Sequence, residues 1–447
     1  MKEHDTSKFH LEGRPPLKEA LPLGLQHFVS MIAGNMVPAM LISNIVGLDK
    51  QMSTMLMQGA MLVAGIATLL QLYSIPLFKG YRLGSKLPVI MGTNYVFLGA
   101  CLSVAGKYGL KALFGAQIGG AIVVFFIAFG IKKIRHLFTP IIAGTMIACM
   151  GISLFPTAVK NLAGGEGSAT FGEPINFMIG LMVVIAIILL MKFGKGLVQD
   201  AAILIGIIFG YIVSLVFGLV DFSAVQGTPI FSFPKALAFG LEFRLDLILM
   251  FAILFMVAIA DMMGAATIAT MGAMNREVTD KELESATMGN ALTSIISSIF
   301  SSIPTGVFGQ NAAIVAINKV TSRFVLAITG VVLILVGFSP LLGAIITTIP
   351  SCIIGGVTLI VFSSIAMAGY DMISQSGFTS DNNLIAGVSI TLSIGITSVP
   401  QTLEKFPELI RTLVGNSCIV SVFIVAMIIK YILSIKSNKS NDIKIEA

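Results

Sequence analysis

The sequence predicts an all-α polytopic membrane protein of about fourteen spans, built as two inverted repeats of seven, with short extended segments in broken spans 3 and 10. Three observations carry this expectation. Of 447 residues, 56% are hydrophobic and only 11% charged, against a charged share of roughly 25% in soluble domains. Apolar runs approaching the roughly 20 residues that one helical crossing needs recur along the whole chain. The third observation is a flaw in the pattern. Where a tenth span should run unbroken from Ile303 to Lys319, Pro304 removes a backbone donor, Gly306 and Gly309 loosen the chain, and Gln310-Asn311 places two amides at membrane depth. Such a stretch persists in hydrocarbon only when it packs against protein or lines a polar cavity.

Taken in order, residues 1–19 are polar and charged, and no small-residue cleavage site follows the first apolar run, so an uncleaved cytoplasmic N-terminal tail is expected. Spans are expected near 20–46, 55–78, 87–106, 111–131, 137–159, 175–193 and 197–219, which form the first repeat over 20–219. Residues 220–246, the longest polar stretch, hold Pro229 and Pro234 and read as an extracellular linker. The second repeat, 247–433, holds spans near 247–270, 286–302, 303–320, 324–339, 340–370, 382–400 and 408–433, and 434–447 is a second cytoplasmic tail. With both termini inside, twenty of the 28 basic residues fall on inside segments, among them Lys2, Lys79, Lys132, Lys133 and Arg135, and eight outside. An odd number of spans per half makes the halves enter the membrane in opposite senses, the plan of many secondary transporters. Leu87-Pro88 through Gly92, Asn94 and Tyr95 in the third span echoes Ile303-Pro304 through Gly309-Gln310-Asn311 in the tenth. Paired broken segments at matching positions point to a binding site near the midplane.

Composition also excludes. The basic residues lie in short loops without interleaved aromatics, so no nucleic-acid partner is expected and the bilayer is the partner instead. Cys101, Cys149, Cys352 and Cys418 have no metal-ligand spacing, and no metal site is expected. No His-Glu-x-x-His, Gly-x-Ser-x-Gly or nucleotide motif occurs, which speaks against an enzyme and against ATP-driven pumping.

Six residues are candidates for the site. Asp261 lies deep in an apolar run, where a carboxylate must be paired, protonated or wet; its candidate roles are substrate contact and proton carriage, and a packing hydrogen bond is the competing reading. Gly264, Ala265 and Ala266 beside it are small enough to admit another segment closely. His27, early in the first span, could share a proton with a carboxylate on another helix. Gln310 and Asn311 sit at the positive end of a half-helix, and a glutamine amide offers a donor and an acceptor side by side, the complement of a lactam edge. Asn94 and Tyr95 would face them from the other broken span. Interhelical glue is the competing reading for both amides.

At these residues the sequence resembles the nucleobase/ascorbate transporter family, also called the nucleobase:cation symporters. Gln310-Asn311 is similar to the family's Gln/Glu-Asn-x-Gly-x-x-x-x-Thr motif, Gln26-His27 to its first-span pair, and Leu87 through Phe97 to its third-span stretch. Thr321-Ser322-Arg323 looks like the ending that follows the motif, and Asp261 takes the place of an eighth-span glutamate. The resemblance implies a core domain (spans 1–4 and 8–11) moving against a gate domain (spans 5–7 and 12–14), commonly in a homodimer. It implies a plasma-membrane transporter, with no cofactor, that imports a purine base of the xanthine or urate type with protons. Asp261 and Gln310 would hold the base and His27 would share the proton. The alternatives are a uracil or other divergent-substrate permease, and a small-solute or anion channel. Ala313 stands where the motif has glycine, Asn318 where it has threonine, and Ala265 where xanthine carriers usually have aspartate. These departures bear on substrate more than on fold.

Overall fold

A computed structural model describes residues 6–78, 80–131 and 139–445. Lys2, Lys79, Lys132, Lys133 and Arg135 of the expected inside segments lie outside the described residues, as do 1–5 and 446–447 of the two expected tails.

The first half begins with α1 (Leu17–Val46) and α2 (Lys50–Tyr73). Gly47, at φ 67°, closes α1, and the Asp49 side chain caps α2 by accepting from the amide of Met52. Two short strands, β1 (Ile75–Pro76) and β2 (Arg82–Leu83), pair at one end of the molecule, and β3 (Met91–Thr93) leads through a single turn at Tyr95–Phe97 into α3 (Leu98–Ile127). Gly109, at φ 83°, breaks α3 between the third and fourth expected spans. There follow α4 (Pro140–Ser153), α5 (Phe155–Leu162), α6 (Pro174–Phe193), α7 (Leu197–Asp200) and α8 (Ala202–Val216). The second half comprises α9 (Leu245–Met274), α10 (Asp280–Ile299), β4 (Thr305–Val307), α11 (Gly309–Asn318), α12 (Arg323–Gly337), α13 (Pro340–Thr347), α14 (Ser351–Gln375), α15 (Ser380–Ser398), α16 (Glu408–Ile410) and α17 (Cys418–Ile445).

The protein is a helical, multi-pass membrane protein. Among the described residues, seven helices are long and apolar enough to cross a bilayer, or up to nine if two bent pairs each count as one span. The bent pairs are α12 with α13, at 78°, and Glu408–Gly415 with Cys418–Ser434, at 98°. Shorter or more polar helices such as α8, α10 and α15 and the broken segments lie outside this number, so the count of fourteen stays an expectation. Lipid-facing sides are visible as exposed apolar side chains, among them Ile185 and Leu189 of α6.

The helices sort into two packed groups. In one, α2 packs on α12 and α13, α3 on α9 and α10, α9 on α11, and α1 on α12; in the other, α14 packs on α4, α5 and α6, α15 and α4 on α17, and α6 on α8. Only sparser contacts, such as α1 with α8 and α9 with 411–415, join the groups. The expected twelfth span, 340–370, is divided between them: α13 lies with the first group and α14 with the second.

Inside the first group the two extended segments cross and pair. Strands β3 and β4 are antiparallel, with Met91 opposite Val307, Gly92 opposite Gly306 and Thr93 opposite Thr305. The ladder is extended by the amide of Phe308 donating to the Ile90 carbonyl (2.8 Å) and that of Asn94 to the Pro304 carbonyl (2.9 Å). A two-stranded ladder leaves two open edges, intolerable in hydrocarbon. Neighbouring helices close them. Thr68 accepts from the Met91 amide (3.0 Å), Asn35 from the Thr93 amide (2.7 Å) and Ser294 from the Thr305 amide (3.4 Å).

Ion pairs tie the connecting segments together. Lys50 pairs with Asp221 and Ser223, and Arg244 with Asp246 and Glu408, all on segments expected outside. On segments expected inside, Arg276 pairs with Glu282, which completes the capping box of α10 with Thr279, and Arg323 pairs with Glu12. The carboxyl of Asp221 is pushed down to about 2 by the hydrogen bonds it accepts from Lys50 and Ser223.

Candidate functional site

Two short helical starts lie at the crossing point. The strand β3 ends in the turn at Tyr95, and β4 ends in α11 at Gly309. Each start presents amides that have no partner within its own helix. Both lie beside the middle of α9, which carries Asp261.

The structure brings Asn94 and Asp261 together. The Asn94 Nδ2 donates to Asp261 Oδ2 at 3.3 Å, while its Oδ1 accepts from the Val96 amide (2.8 Å) and caps the turn. Asp261 is half-buried and has no cationic partner among the described residues. Gln310 is exposed and its side chain makes no hydrogen bond among the described residues. A side-chain carbon placed on Gly309 or on Gly264 would meet nothing within 4 Å. Gly264, one turn along α9 from Asp261, and Gly309, next to Gln310, therefore border open space, and α9 packs on α11, so one carboxylate and one unengaged amide lie on adjoining helices beside these openings, the candidate crevice. The expectation that Gly264 admits a close segment is corrected: Gly264 faces the opening, and only Ala265 and Ala266 are packed.

Asn311 and His27 form a separate pair. Both are buried. The Asn311 Nδ2 donates to the backbone carbonyl of His27 (2.9 Å) and to its Nδ1 (3.1 Å). With Nδ1 accepting, the ring proton is assigned to Nε2. Asn311 Oδ1 is left without a partner among the described residues. His27 thus binds an amide and no carboxylate. Asn311 holds α11 against α1 and does not face the opening. Tyr95 is half-buried, its hydroxyl donates to the Gly34 carbonyl (2.7 Å), and its ring lies edge-on to Phe362 of α14, in the second helix group, with centroids 6.3 Å apart.

Several residues that shape the site escaped the sequence reading. Asn35, fully buried, accepts from the Thr93 amide and donates to the Ala60 carbonyl (3.0 Å). Thr305 is held by Thr293 (2.7 Å) and Asn290 (2.9 Å). Polar side chains inside apolar runs were the available signal. Phe308 fills the crossing, and a side chain on Gly34 or Gly92 would strike its ring at 2.8 and 2.6 Å.

The opposed glycines allow this close crossing. A carbon added at Gly306 would lie 2.2 Å from Asn94 Nδ2. Gly306→Ala should therefore push Asn94 off Asp261 and destabilise the protein by about 1–3 kcal/mol, the usual cost of overpacking. Thermal melts of purified protein and uptake assays should show both effects. Wild-type uptake by this variant would mean that the Asn94–Asp261 contact does not matter.

A cavity of about 410 Å³ lies elsewhere, between α1 and α13 on one side and α8 and α14 on the other, with Phe28, Ile32, Met36, Tyr211, Ile346 and Ile353 among its walls. Its apolar lining offers nothing to the N–H and C=O groups of a polar solute, so the crevice at Asp261 is the better site.

Comparison with known proteins agrees with this architecture. Solved structures with the same fold are the transmembrane domain of a cyanobacterial bicarbonate transporter, BicA (TM-score 0.57, 14% identity, 92% of this chain and 97% of that one), and SLC26A9 (TM-score 0.60, 12% identity, 92% and 66%). Among sequences, the uric acid permease PucK of Bacillus subtilis is 32% identical over 95% of this chain and 98% of its own, and the xanthine permease of the same organism 30% over 96% and 97%. The xanthine permease XanQ of Escherichia coli is 30% identical over 91% and 90%. Residues 18–402 match Xan_ur_permease, described as a permease family. A membrane protein with these crossed half-helices, this fold and these relatives is no enzyme: the chain belongs to the Xan_ur_permease family of permeases.

Proposed function

We propose that this permease imports a purine base of the xanthine or urate type across the plasma membrane, coupled to protons, with no cofactor. The single observation that carries the reading is that a carboxylate (Asp261) and an unengaged amide (Gln310) lie on adjoining helices at the crossed segments, each close to a glycine that borders open space. An oxidised purine presents adjacent N–H and C=O groups on a flat ring. The carboxylate suits its N–H groups, Gln310 can take a donor and an acceptor together, and the exposed helix start suits its carbonyls. The names of PucK and XanQ support a base of this type.

The sparsely joined helix groups are the bodies that would move, the first as core and the second as gate, exposing the crevice to each side in turn. Tyr95 against Phe362 is one contact across that boundary. The distribution of basic residues supports a cytoplasmic position for both termini, and exposed apolar faces such as that of α6 leave room for a homodimer within the lipid.

Competition settles the substrate class. In a strain lacking its own carriers, labelled xanthine or uric acid should enter saturably, each should compete with the other, and uracil should compete poorly. Dominant competition by uracil would move the assignment to a pyrimidine base. Non-saturable entry without accumulation would favour a channel.

A further inference from the structure

The segment before α1 does not trail away from the protein. Its carbonyls at Phe9, Leu11 and Gly13 all turn to one loop. The Phe9 carbonyl accepts from the Thr321 amide (3.0 Å), that of Leu11 from the Arg323 amide (3.2 Å), and that of Gly13 from the Ser322 hydroxyl (2.6 Å). Phe9 packs with Leu23 and Phe324 on a small cluster of Ala20, Val320 and Val325. This loop follows α11, the half-helix that starts at the crevice, and leaves it through Lys319, a non-glycine residue at φ 55°.

Arg323 sits at the centre of the arrangement. Its side chain is only 10% exposed, and its guanidinium divides between two partners. Nη1 donates to the Glu12 carboxylate (2.5 Å), and Nε donates to the carbonyl of Lys86 (3.0 Å). Lys86 is the other entrance: it immediately precedes the extended stretch that becomes β3, and it too adopts a left-handed backbone, φ 62°. Gln71 pins this turn through its carbonyl, which accepts from the Lys86 amide (2.8 Å), and its Oε1, which accepts from the Ser85 amide (3.0 Å). One guanidinium thus joins the inner ends of the two segments whose middles pair as β3 and β4.

We propose that Lys8–Gly13 is a strap belonging to the transport site, and that Arg323 is the positioning residue through which this strap fixes the inner ends of both crossed segments. Left-handed backbone at two non-glycine residues persists only where surroundings hold it. The β3–β4 ladder ties the segments at one point, which permits pivoting; the Arg323 clamp supplies a second, so both helical starts keep their relation while the crevice changes sides. A guanidinium shared by a carboxylate and a carbonyl suits this, because its planar donors fix direction as well as distance.

The role as part of a transport site rests on the reading of the crevice given above, so the test has two independent arms. Hydrogen exchange on the full-length purified protein, with no solute present, reports the clamp alone. Glu12 is exposed, so Glu12→Gln does not threaten folding, yet it should speed exchange in 319–323 about threefold; Arg323→Gln should speed it roughly tenfold in both 86–93 and 303–323. The double exchange Glu12→Arg with Arg323→Glu restores an ion pair but no donor for the Lys86 carbonyl. It should recover protection at 319–323 and not at 86–93. In the second arm, uptake by Glu12→Gln and Arg323→Gln should show KM raised several-fold, with the maximal rate per molecule in the membrane much less changed. Unaltered exchange and KM in Glu12→Gln, and in a chain lacking 1–13, would overturn the strap. Absence of purine uptake by the unaltered protein would instead overturn the reading of the crevice while leaving the exchange result intact.

Discussion

Asp261→Asn will bind its base and fail to accumulate it. Gradient-driven uptake should fall about a hundredfold or more, to the level of cells without the protein, while binding to purified protein persists. The argument begins with cost. A carboxylate in the middle of a spanning helix is unfavourable by about 2.5–3.5 kcal/mol on insertion scales, and Asp261 is offered only the Asn94 amide at 3.3 Å, with no cation among the described residues. Two events relieve that cost: uptake of a proton, or arrival of a solute with N–H donors. If the loaded carrier is the protonated one, wild-type binding should weaken as pH rises through the titration of this carboxyl. Asparagine has nearly the same shape, keeps a hydrogen-bonding oxygen and cannot titrate, so its binding should be flat with pH over the same range. Normal accumulation driven by a pH gradient in Asp261→Asn would remove this residue from coupling and leave it a packing acid. His27 is less suited to the task than the sequence suggested, because the Asn311 amide occupies its Nδ1.

What the sequence conveyed and what it withheld follow from the range of each interaction. Pro88 and Gly92, and Pro304 and Gly306, mark the two breaks because proline and glycine act on their own backbone, which any local reading detects. The pairing of Gly92 with Gly306 is a contact between residues far apart in sequence, and no local rule supplies its register. Asn35 and Thr68 were invisible for the same reason: each looks like a stray polar residue until the strand edge that it satisfies is in place. Span boundaries at α1, α6 and α9 were legible because those helices are long and uniformly apolar. Where one apolar run holds two directions, as in α12 and α13 with their 78° bend, hydropathy measures length and not path. Gly264 misled because small size signals either close packing or open space, and only the neighbours decide.

Gln310→Glu should reorder substrates, whereas Asn311→Ala should depress them all alike. The two neighbours look equivalent in sequence, and the structure separates them. Gln310 stands exposed at the start of α11, its side chain without a hydrogen-bond partner among the described residues, and Asn311 is fully buried with both Nδ2 protons on His27. As a neutral amide Gln310 can donate and accept at once, matching a lactam edge where C=O and N–H are adjacent; an ionised glutamate can only accept. A base that needs a donor from this position would then lose one hydrogen bond and bury an unsatisfied carbonyl, at about 1–3 kcal/mol, or roughly ten- to a hundredfold in affinity. A base offering two donors would lose little or gain. The order of competitors in uptake should therefore change. Asn311→Ala removes the bonds that hold α11 to α1, leaving the His27 Nδ1 unpartnered in a buried place, so the helix start shifts for every solute and all affinities fall by a similar factor. If both variants scale xanthine, uric acid and uracil equally, Gln310 does not read the base, and selectivity must come from Asp261 and the backbone amides at the two helical starts.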